Sequence, residues 1–519
     1  MKLLMIYPNK AMTIRAPLGL GYLSAYLKNS GHEMRLFDTT FIKCDITLGD
    51  DFLRENSLQI KNPDFNEFNI FQKNVNVFDL LKTEIEEFKP DIIGMSLVDP
   101  NYDFGLKILK YCKSMWLNIP IIVGGPLTTF VPEDIIKEEC IDAIGRGECE
   151  EALVEFMNRY EKGGWNNVYD VYNFWVKDKD YYTNLIIYKN NIKLFDSVYG
   201  LSPDLDIYDD RHFIRPLGGK TYRMATVIWS RGCIFSCNYC ANSSFYKSAN
   251  IKAKQYYRIK DVKFFIQELK IIKEKYNLNF LMFVDDIWPM HKIELIKEFC
   301  NLYKKEVNIP FSINLHCKIV NEESFSMAVD VGLRNVCIGV ESGNKRIREQ
   351  ILNRRYSDDD LKFVFGLAHK YKIRCSSFNI IGLPFENRQN ILETIELNKK
   401  LNPHSATVTF FHPYRGSVLR QMCIDEKYID DENFYEDVYR VESRLNMPQI
   451  TKKELTGLMN SFQLYLKLPE KYYSLIEKQE NEELIESKNI RNNILMPIFN
   501  EIQSKEPKWD FNKKTEWWL

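Results

Sequence analysis

Short apolar runs alternate with amphipathic stretches along most of this chain. Leu3 to Tyr7 reads as a buried strand, followed by a helix from about Leu18 to Asn29 that Gly31 stops. Met34 to Asp38 is the next strand. After an irregular Asn- and Phe-rich stretch, roughly 45 to 77, a helix leads to Pro90. Asp91 to Leu97 and Ile119 to Val123 are strands, with a helix through Leu106, Leu109 and Met115 between them. Strands separated by helices at this spacing predict a doubly wound parallel sheet over residues 1–160, with its ligand at the carboxyl ends of the strands.

Residues 161–220 are poorly periodic and read as a connector, with a hairpin of Phe174 to Val176 against Leu185 to Tyr188. The alternation restarts over 221–430. Met224 to Trp229, Phe280 to Val284, Phe311 to Leu315, Asn335 to Val340, Ser376 to Ile381 and Ala406 to Phe411 are strands. Between them run helix faces such as Val262, Phe265, Ile266, Leu269 and Ile272. Six such units predict a partial (β/α)6 barrel with its chemistry on the C-terminal rim. Residues 431–519 are charged and helical; Thr451-Lys-Lys-Glu454 has capping-box form, and Trp517-Trp-Leu519 either docks or frays. The fold class is therefore α/β: a doubly wound sheet, a partial barrel and a helical C-terminal region.

Composition narrows the class. At 519 residues the chain needs two or three domains. Hydrophobic content of 45% and charged content of 27% are ordinary for a globular protein. Lys plus Arg number 70 against Asp plus Glu 71, so no bulk charge argues for nucleic acid or an anionic membrane. The apolar start, Met1 to Tyr7, ends at Pro8, too short for a secretory leader, and no run reaches the ~18 apolar residues of a membrane span. Twelve scattered cysteines fit a reducing compartment, so a cytoplasmic protein is expected.

Three of those cysteines are not scattered. Cys233, Cys237 and Cys240 lie in Ser230-Arg-Gly-Cys-Ile-Phe-Ser-Cys-Asn-Tyr-Cys-Ala-Asn242, directly after the first barrel strand. Thiolates at this spacing in one loop can hold three corners of an iron–sulfur cubane and leave one iron open. Zinc would want a fourth Cys or His close by, and His212, His291 and Cys300 are all distant in sequence.

The C-x3-C-x2-C spacing, with Arg-Gly before it and Tyr239 within it, resembles the radical S-adenosylmethionine (radical SAM) superfamily. The resemblance implies that the three cysteines are metal ligands and catalytic, holding a 4Fe–4S cluster whose open iron binds S-adenosylmethionine. An electron then cleaves that molecule to a 5′-deoxyadenosyl radical. Tyr239 would lie against the adenine, with Asn242 beside it. Gly339-Val-Glu-Ser-Gly343 resembles the family's G-x-E-S-G motif, so Glu341 and Ser342 would help hold S-adenosylmethionine, with the following Asn353-Arg354 at its polar end. By residue type alone Arg354 is equally a solvated charge. Asn379-Ile-Ile-Gly-Leu-Pro384 is similar to the segment that approaches the adenine, bringing in Gly382 and Pro384. Gly382 would leave room for the ring. There the family's next Gly is Phe385, and its Thr is Asn387. Pro413-Tyr-Arg-Gly-Ser417 resembles the family's closing P-x-x-G-S. Asp285 and Asp286 end the second strand, where carboxylates either orient a ligand or cap the next helix. His316 and Cys317 follow the third strand.

The N-terminal sheet, flavodoxin- or Rossmann-like, carries Ala16-Pro-Leu-Gly-Leu-Gly21, Asp91-Ile-Ile-Gly-Met-Ser96, Ile122-Val-Gly-Gly-Pro126 and Gly145-Arg-Gly-Glu148. These resemble the cobalamin (B12)-binding domain that precedes some radical SAM barrels. The resemblance implies cobalamin contacts at Ser96, Leu97, Gly124, Gly125, Pro126, Gly147 and Glu148. The D-x-H-x-x-G sequence that supplies a histidine to cobalt in many cobalamin proteins is absent, and His32 reads as structural. Cys44, Cys112, Cys140 and Cys149 are too dispersed for the second cysteine trio of a methylthiotransferase.

Together the resemblances imply a cobalamin-dependent methyltransferase acting on an unactivated carbon or phosphorus centre. Its substrate would be a small molecule or peptide, and its electrons would come from an external donor such as flavodoxin or ferredoxin. A radical cyclase, ring-contracting enzyme or oxidase shares the motifs. A non-catalytic iron–sulfur sensor would lack the S-adenosylmethionine motifs on the rim.

Overall fold

The computed structural model describes residues 1–10, 12–44, 50–178, 186–194, 200–430, 441–481, 484–506, 509–511 and 513. In the first sheet, β1 (Lys2–Tyr7), β2 (Glu33–Asp38), β3 (Ile92–Ser96), β4 (Ile121–Gly124) and β5 (Ala143–Gly145) run parallel in the order β2-β1-β3-β4-β5. The order reverses between β1 and β3, which opens a crevice at the strands' carboxyl ends. Two further strands, β6 (Phe174–Lys177) and β7 (Ile187–Lys189), add an antiparallel hairpin to β5. The hairpin expected in the connector thus belongs to the first sheet; Leu185 lies outside the described residues.

The second sheet starts with a hairpin, β8 (Ile214–Leu217) against β9 (Lys220–Val227). The chain leaving β9 makes a two-residue ladder, β10 (Ser230–Arg231) with β11 (Arg258–Ile259). Then come β12 (Phe280–Phe283), β13 (Phe311–Leu315), β14 (Leu333–Glu341), β15 (Arg374–Ile381) and β16 (Ser405–Phe410). From β9 to β16 the six strands are parallel neighbours in chain order, and the two edges, β8 and β16, do not meet. The barrel is therefore open.

Side-chain amides cover part of its free edge. Gln59, from the insert after β2, donates to Val408 O at 3.0 Å and accepts Val408 N at 3.0 Å, and Gln463 donates to Ala406 O at 2.6 Å. An edge strand left bare would invite pairing with another chain. The insert itself holds a helix, Asp50–Asn56, and a short turn, Phe65–Phe68. Thr451 and Glu454 cap the helix Lys452–Lys467 reciprocally, as the sequence predicts. Trp517 to Leu519 lie outside the described residues.

One hydrophobic cluster runs from Leu3, Leu27 and Phe156 under the first sheet to Trp229, Phe265 and Phe283 in the barrel, so the two sheets share a core. A second joins Ile381 and Leu383 to Leu455 and Phe462 of the C-terminal helices. Among the described residues no helix is long and apolar enough to cross a membrane.

Candidate functional site

The cysteine loop follows β9, at the barrel's C-terminal rim. Asp285, at the end of β12, sets where it begins: its Oδ1 accepts Trp229 N at 3.1 Å, Ser230 N at 2.5 Å and the Ser230 hydroxyl at 2.7 Å. That is neither of the roles weighed from sequence. The loop's middle is tied to the segment after β14, where Asn238 donates from its backbone to Leu352 O (3.0 Å) and from Nδ2 to Ile351 O (2.9 Å). Asn353 donates to Ser236 O at 3.0 Å. Phe235 stacks on His316 with ring centroids 3.8 Å apart, and burial holds that imidazole well below its usual range. His316 and the two asparagines thus position the loop. Sequence reading missed Asn238, whose only signal was an amide inside the motif.

The three thiols are free. Burial pushes Cys233 and Cys240 up to about 12 and raises Cys237, which Arg354 opposes. Such thiols become thiolates only against a strong positive charge, which suits a metal cluster. A single zinc would draw thiolates to about 3.8 Å of one another. Among the described residues, the one group of three metal-ligating side chains whose ligand atoms all lie within 4.8 Å is His369, Cys375 and His404, so the trio is spread too wide for one ion. That other group lies where β15 begins, away from the rim. Its contacts are internal, with both Cys375 N (3.1 Å) and Sγ (3.2 Å) against His404 Nδ1.

Glu341, Arg354 and Tyr239 come together beside Cys237. Arg354 Nη1 donates to Tyr239 Oη at 3.0 Å and lies 3.9 Å from Cys237 Sγ and 3.6 Å from Glu341 Oε1. Its Nη2 donates to Gly339 O at 3.1 Å, while its buried Nε has no hydrogen-bond partner. A Cβ on Gly339 would stand 2.4 Å from Glu341 Oε1 and 2.8 Å from Arg354 Nη2, so the glycine makes room for the pair. Burial raises the Glu341 carboxyl, against Arg354. Arg354 is thus a buried member of the rim and not a solvated charge. Ser342 is folded into a local turn, its Oγ accepting Asn344 N at 3.3 Å.

The turn after β15 gives Gly382 a second reason to be glycine. The residue has φ +72°, and a Cβ there would meet Leu455 at 3.3 Å and Ser443 at 3.4 Å. Its glycine is needed for backbone conformation and for packing against the C-terminal region. Pro384 is buried beside it. Phe385, standing where the resembling motif has Gly, adopts φ +64°, so the left-handed turn persists without glycine. Asn387 caps the helix Arg388–Leu401 in place of Thr.

Across from the barrel rim lie the strand ends of the first sheet. Between the two is a cavity of about 890 Å³, lined by Ser96, Gly124, Pro126 and Glu148 on one side and by Gly232, Asn242 and Asp286 on the other. Gly125 and Gly147 also line it. Gly124 has nothing within 4 Å of a would-be Cβ, so its backbone is bare to a ligand. Gly125, at φ +102°, is held by the strand end: a Cβ would come within 2.5 Å of Leu97 O. Leu97 itself is buried in the core, away from the cavity. Glu148 is engaged by the barrel. Its Oε1 pairs with Arg258 and, at 3.3 Å, with Arg231, while Glu150 holds Arg231 at 2.6 Å. Asp286 faces the cavity; burial raises its carboxyl, against donors from Asn242 and Gly232.

These residues fit the groups that the motifs imply: buried thiols in one loop, an orphaned guanidinium N–H beside them, and a bare backbone cradle opposite. Comparison with known proteins agrees. The family described as "Radical SAM superfamily" matches residues 227–397, and the "B12 binding domain" matches 9–157. An uncharacterized methyltransferase of Pyrococcus horikoshii, PH0819, is 24% identical over 473 residues, 88% of this chain and 91% of that protein. The anaerobic magnesium-protoporphyrin IX monomethyl ester cyclase of Rubrivivax gelatinosus is 23% identical over 369 residues, 69% of this chain and 62% of that protein. The fold resembles that of OxsB, a cobalamin-dependent S-adenosylmethionine radical enzyme solved with aqua-cobalamin and S-adenosylmethionine. Its TM-score is 0.64 at 15% identity, over 97% of this chain and 72% of that one.

Proposed function

From the premise that this chain is a radical SAM enzyme with a B12-binding domain, we propose that it is a methyltransferase acting on an unactivated carbon or phosphorus centre of a small molecule or peptide. The observation that carries this reading is the shared cavity, lined on one side by Gly232 and Asn242 at the two ends of the cysteine loop and on the other by the cobalamin-motif residues. When bound, the cluster and S-adenosylmethionine supply a carbon-centred radical, and cobalamin supplies the methyl group.

The chain's own residues give those groups their places. Cys233, Cys237 and Cys240 would hold the cluster. Tyr239, Asn242, Glu341, Ser342, Arg354, Gly382 and Pro384 would form the S-adenosylmethionine side, and the Arg354 fork suits a carboxylate. Ser96, Gly124, Gly125, Pro126 and Gly147 would face cobalamin, with Leu97 acting through its backbone. Glu148, already paired with two arginines, would hold the domains together. The cavity walls shield a reactive radical from water. All twelve cysteines are free, which suits the cytosol, and an external flavodoxin or ferredoxin would bring the electrons.

The test is anaerobic: reconstituted protein with S-adenosylmethionine, reductant and cobalamin should release 5′-deoxyadenosine, and Cys237→Ala should abolish it. Equal release by the variant would overturn the reading. The cyclase relative favours one second reading, a radical cyclisation. A product heavier by one methyl group supports transfer; a product with no added methyl supports cyclisation.

A further inference from the structure

We propose that Asp99 is a ligand-binding residue of the shared cavity, and that its carboxyl group takes hydrogen bonds from a side-chain amide of the corrin ring; the inference rests on the cobalamin reading above. Asp99 follows β3 in the crevice where the strand order reverses, and it lines the cavity. The residue is only 6% exposed, yet neither carboxyl oxygen has a hydrogen-bond partner among the described residues. Burying such a group without donors is expensive, so an unpartnered carboxyl behind a cavity wall marks a place where an occupant can supply them.

Among the described residues, no group donates a hydrogen bond to either Asp99 oxygen. Val98 N is taken by Asn101 Oδ1 at 2.9 Å, and Asn101 Nδ2 turns to Pro8 O at 3.4 Å. His412 Nε2, from the loop after β16, stands 3.9 Å from Asp99 Oδ2, within ion-pair distance when protonated but beyond hydrogen-bond reach. Of the cavity's arginines, Arg231 is held by Glu148 and Glu150, and Arg415 lies 3.4 Å from Asp134. Among the described residues, none of these groups donates a hydrogen bond to Asp99. A corrin carries uncharged primary amides around its edge, each with two N–H donors, and Asp99 shares the strand-end crevice with Ser96 and the bare Gly124 backbone.

The test is binding of hydroxocobalamin to purified full-length protein, followed by its visible spectrum. Asp99→Leu should bind about ten- to a hundred-fold more weakly, the loss typical of a hydrogen bond to a charged group. Asp99→Asn, which keeps an oxygen acceptor of the same shape, should lose less. Iron content after anaerobic reconstitution should be equal in all three proteins, showing that the variants are folded. Cobalamins with one peripheral amide converted to a carboxylate give a second readout: wild type should reject one of them, and Asp99→Asn should readmit it. If Asp99→Leu binds as tightly as wild type, Asp99 is not the contact and the cobalamin reading stands. If wild type binds no hydroxocobalamin, the underlying reading fails and this inference with it.

Discussion

Asp285 shows how one buried carboxyl group can organise a reactive loop without touching the chemistry. Its Oδ1 gathers three donors from Trp229 and Ser230, while Oδ2 has no partner. Burial pushes its carboxyl from 3.8 up to about 7, with those donors opposing. The folded chain thus holds this proton more tightly than the unfolded chain does. The stability that the proton contributes is full below about pH 4 and is lost as the pH rises to about 7. Asp285→Asn keeps an oxygen acceptor and removes the titration. Its melting temperature relative to wild type should climb across that window, and a difference that stays flat would refute the assignment. Sequence alone placed Asp285 at a strand end but left open what it bonds to.

At the scale of elements, left-handed backbone gathers where strands β14 and β15 deliver their residues to the rim. Glu341, Asn353 and Phe385 have φ of +61°, +53° and +64°. A non-glycine residue pays for such a conformation, and sites that hold it are over-determined by their surroundings. Phe385 recovers part of this by packing on Tyr428, with ring centroids 5.7 Å apart. Phe385→Ala and Phe385→Gly both lose the ring, but only glycine is at ease at this φ. The glycine variant should therefore be the more stable of the two by about 1 kcal/mol in chemical denaturation. Equal stability, or the reverse order, would show that the turn is not strained. From sequence, Phe in place of Gly put the turn's geometry in doubt, because φ is set by tertiary contacts as well as by residue type.

For the whole molecule, the question is what holds the first sheet over the barrel. Arg231, two residues before the first loop cysteine, reaches Glu148 and Glu150, and Arg258 shares Glu148. Nearby, Lys260 donates to Tyr22 Oη at 2.6 Å and to Glu268 at 2.8 Å in the shared core. Removing one partner of a buried ion pair strands the other, which typically costs about 3–5 kcal/mol. Arg231→Met should therefore lower the unfolding free energy by about 3 kcal/mol. Adding Glu150→Gln should restore part of the loss, because the stranded carboxylate is gone. Two additive losses would mean that the residues act independently. Arg231 was legible as part of the cysteine motif; its carboxylate partners, more than 80 positions earlier, were not.

The sequence by itself determined the alternation of strands and helices, the place of the cysteine loop after the first barrel strand, and the glycines at the first sheet's strand ends. Those are local properties: period, spacing and the absence of a Cβ. Only the tertiary structure decided that Arg354 is buried against Glu341 and Cys237, that Gly382 packs against the C-terminal region, and that Glu148 clasps the barrel while the buried Asp99 carboxyl has no hydrogen-bond donor among the described residues. Burial and pairing depend on which distant segments meet, and no local pattern encodes that meeting.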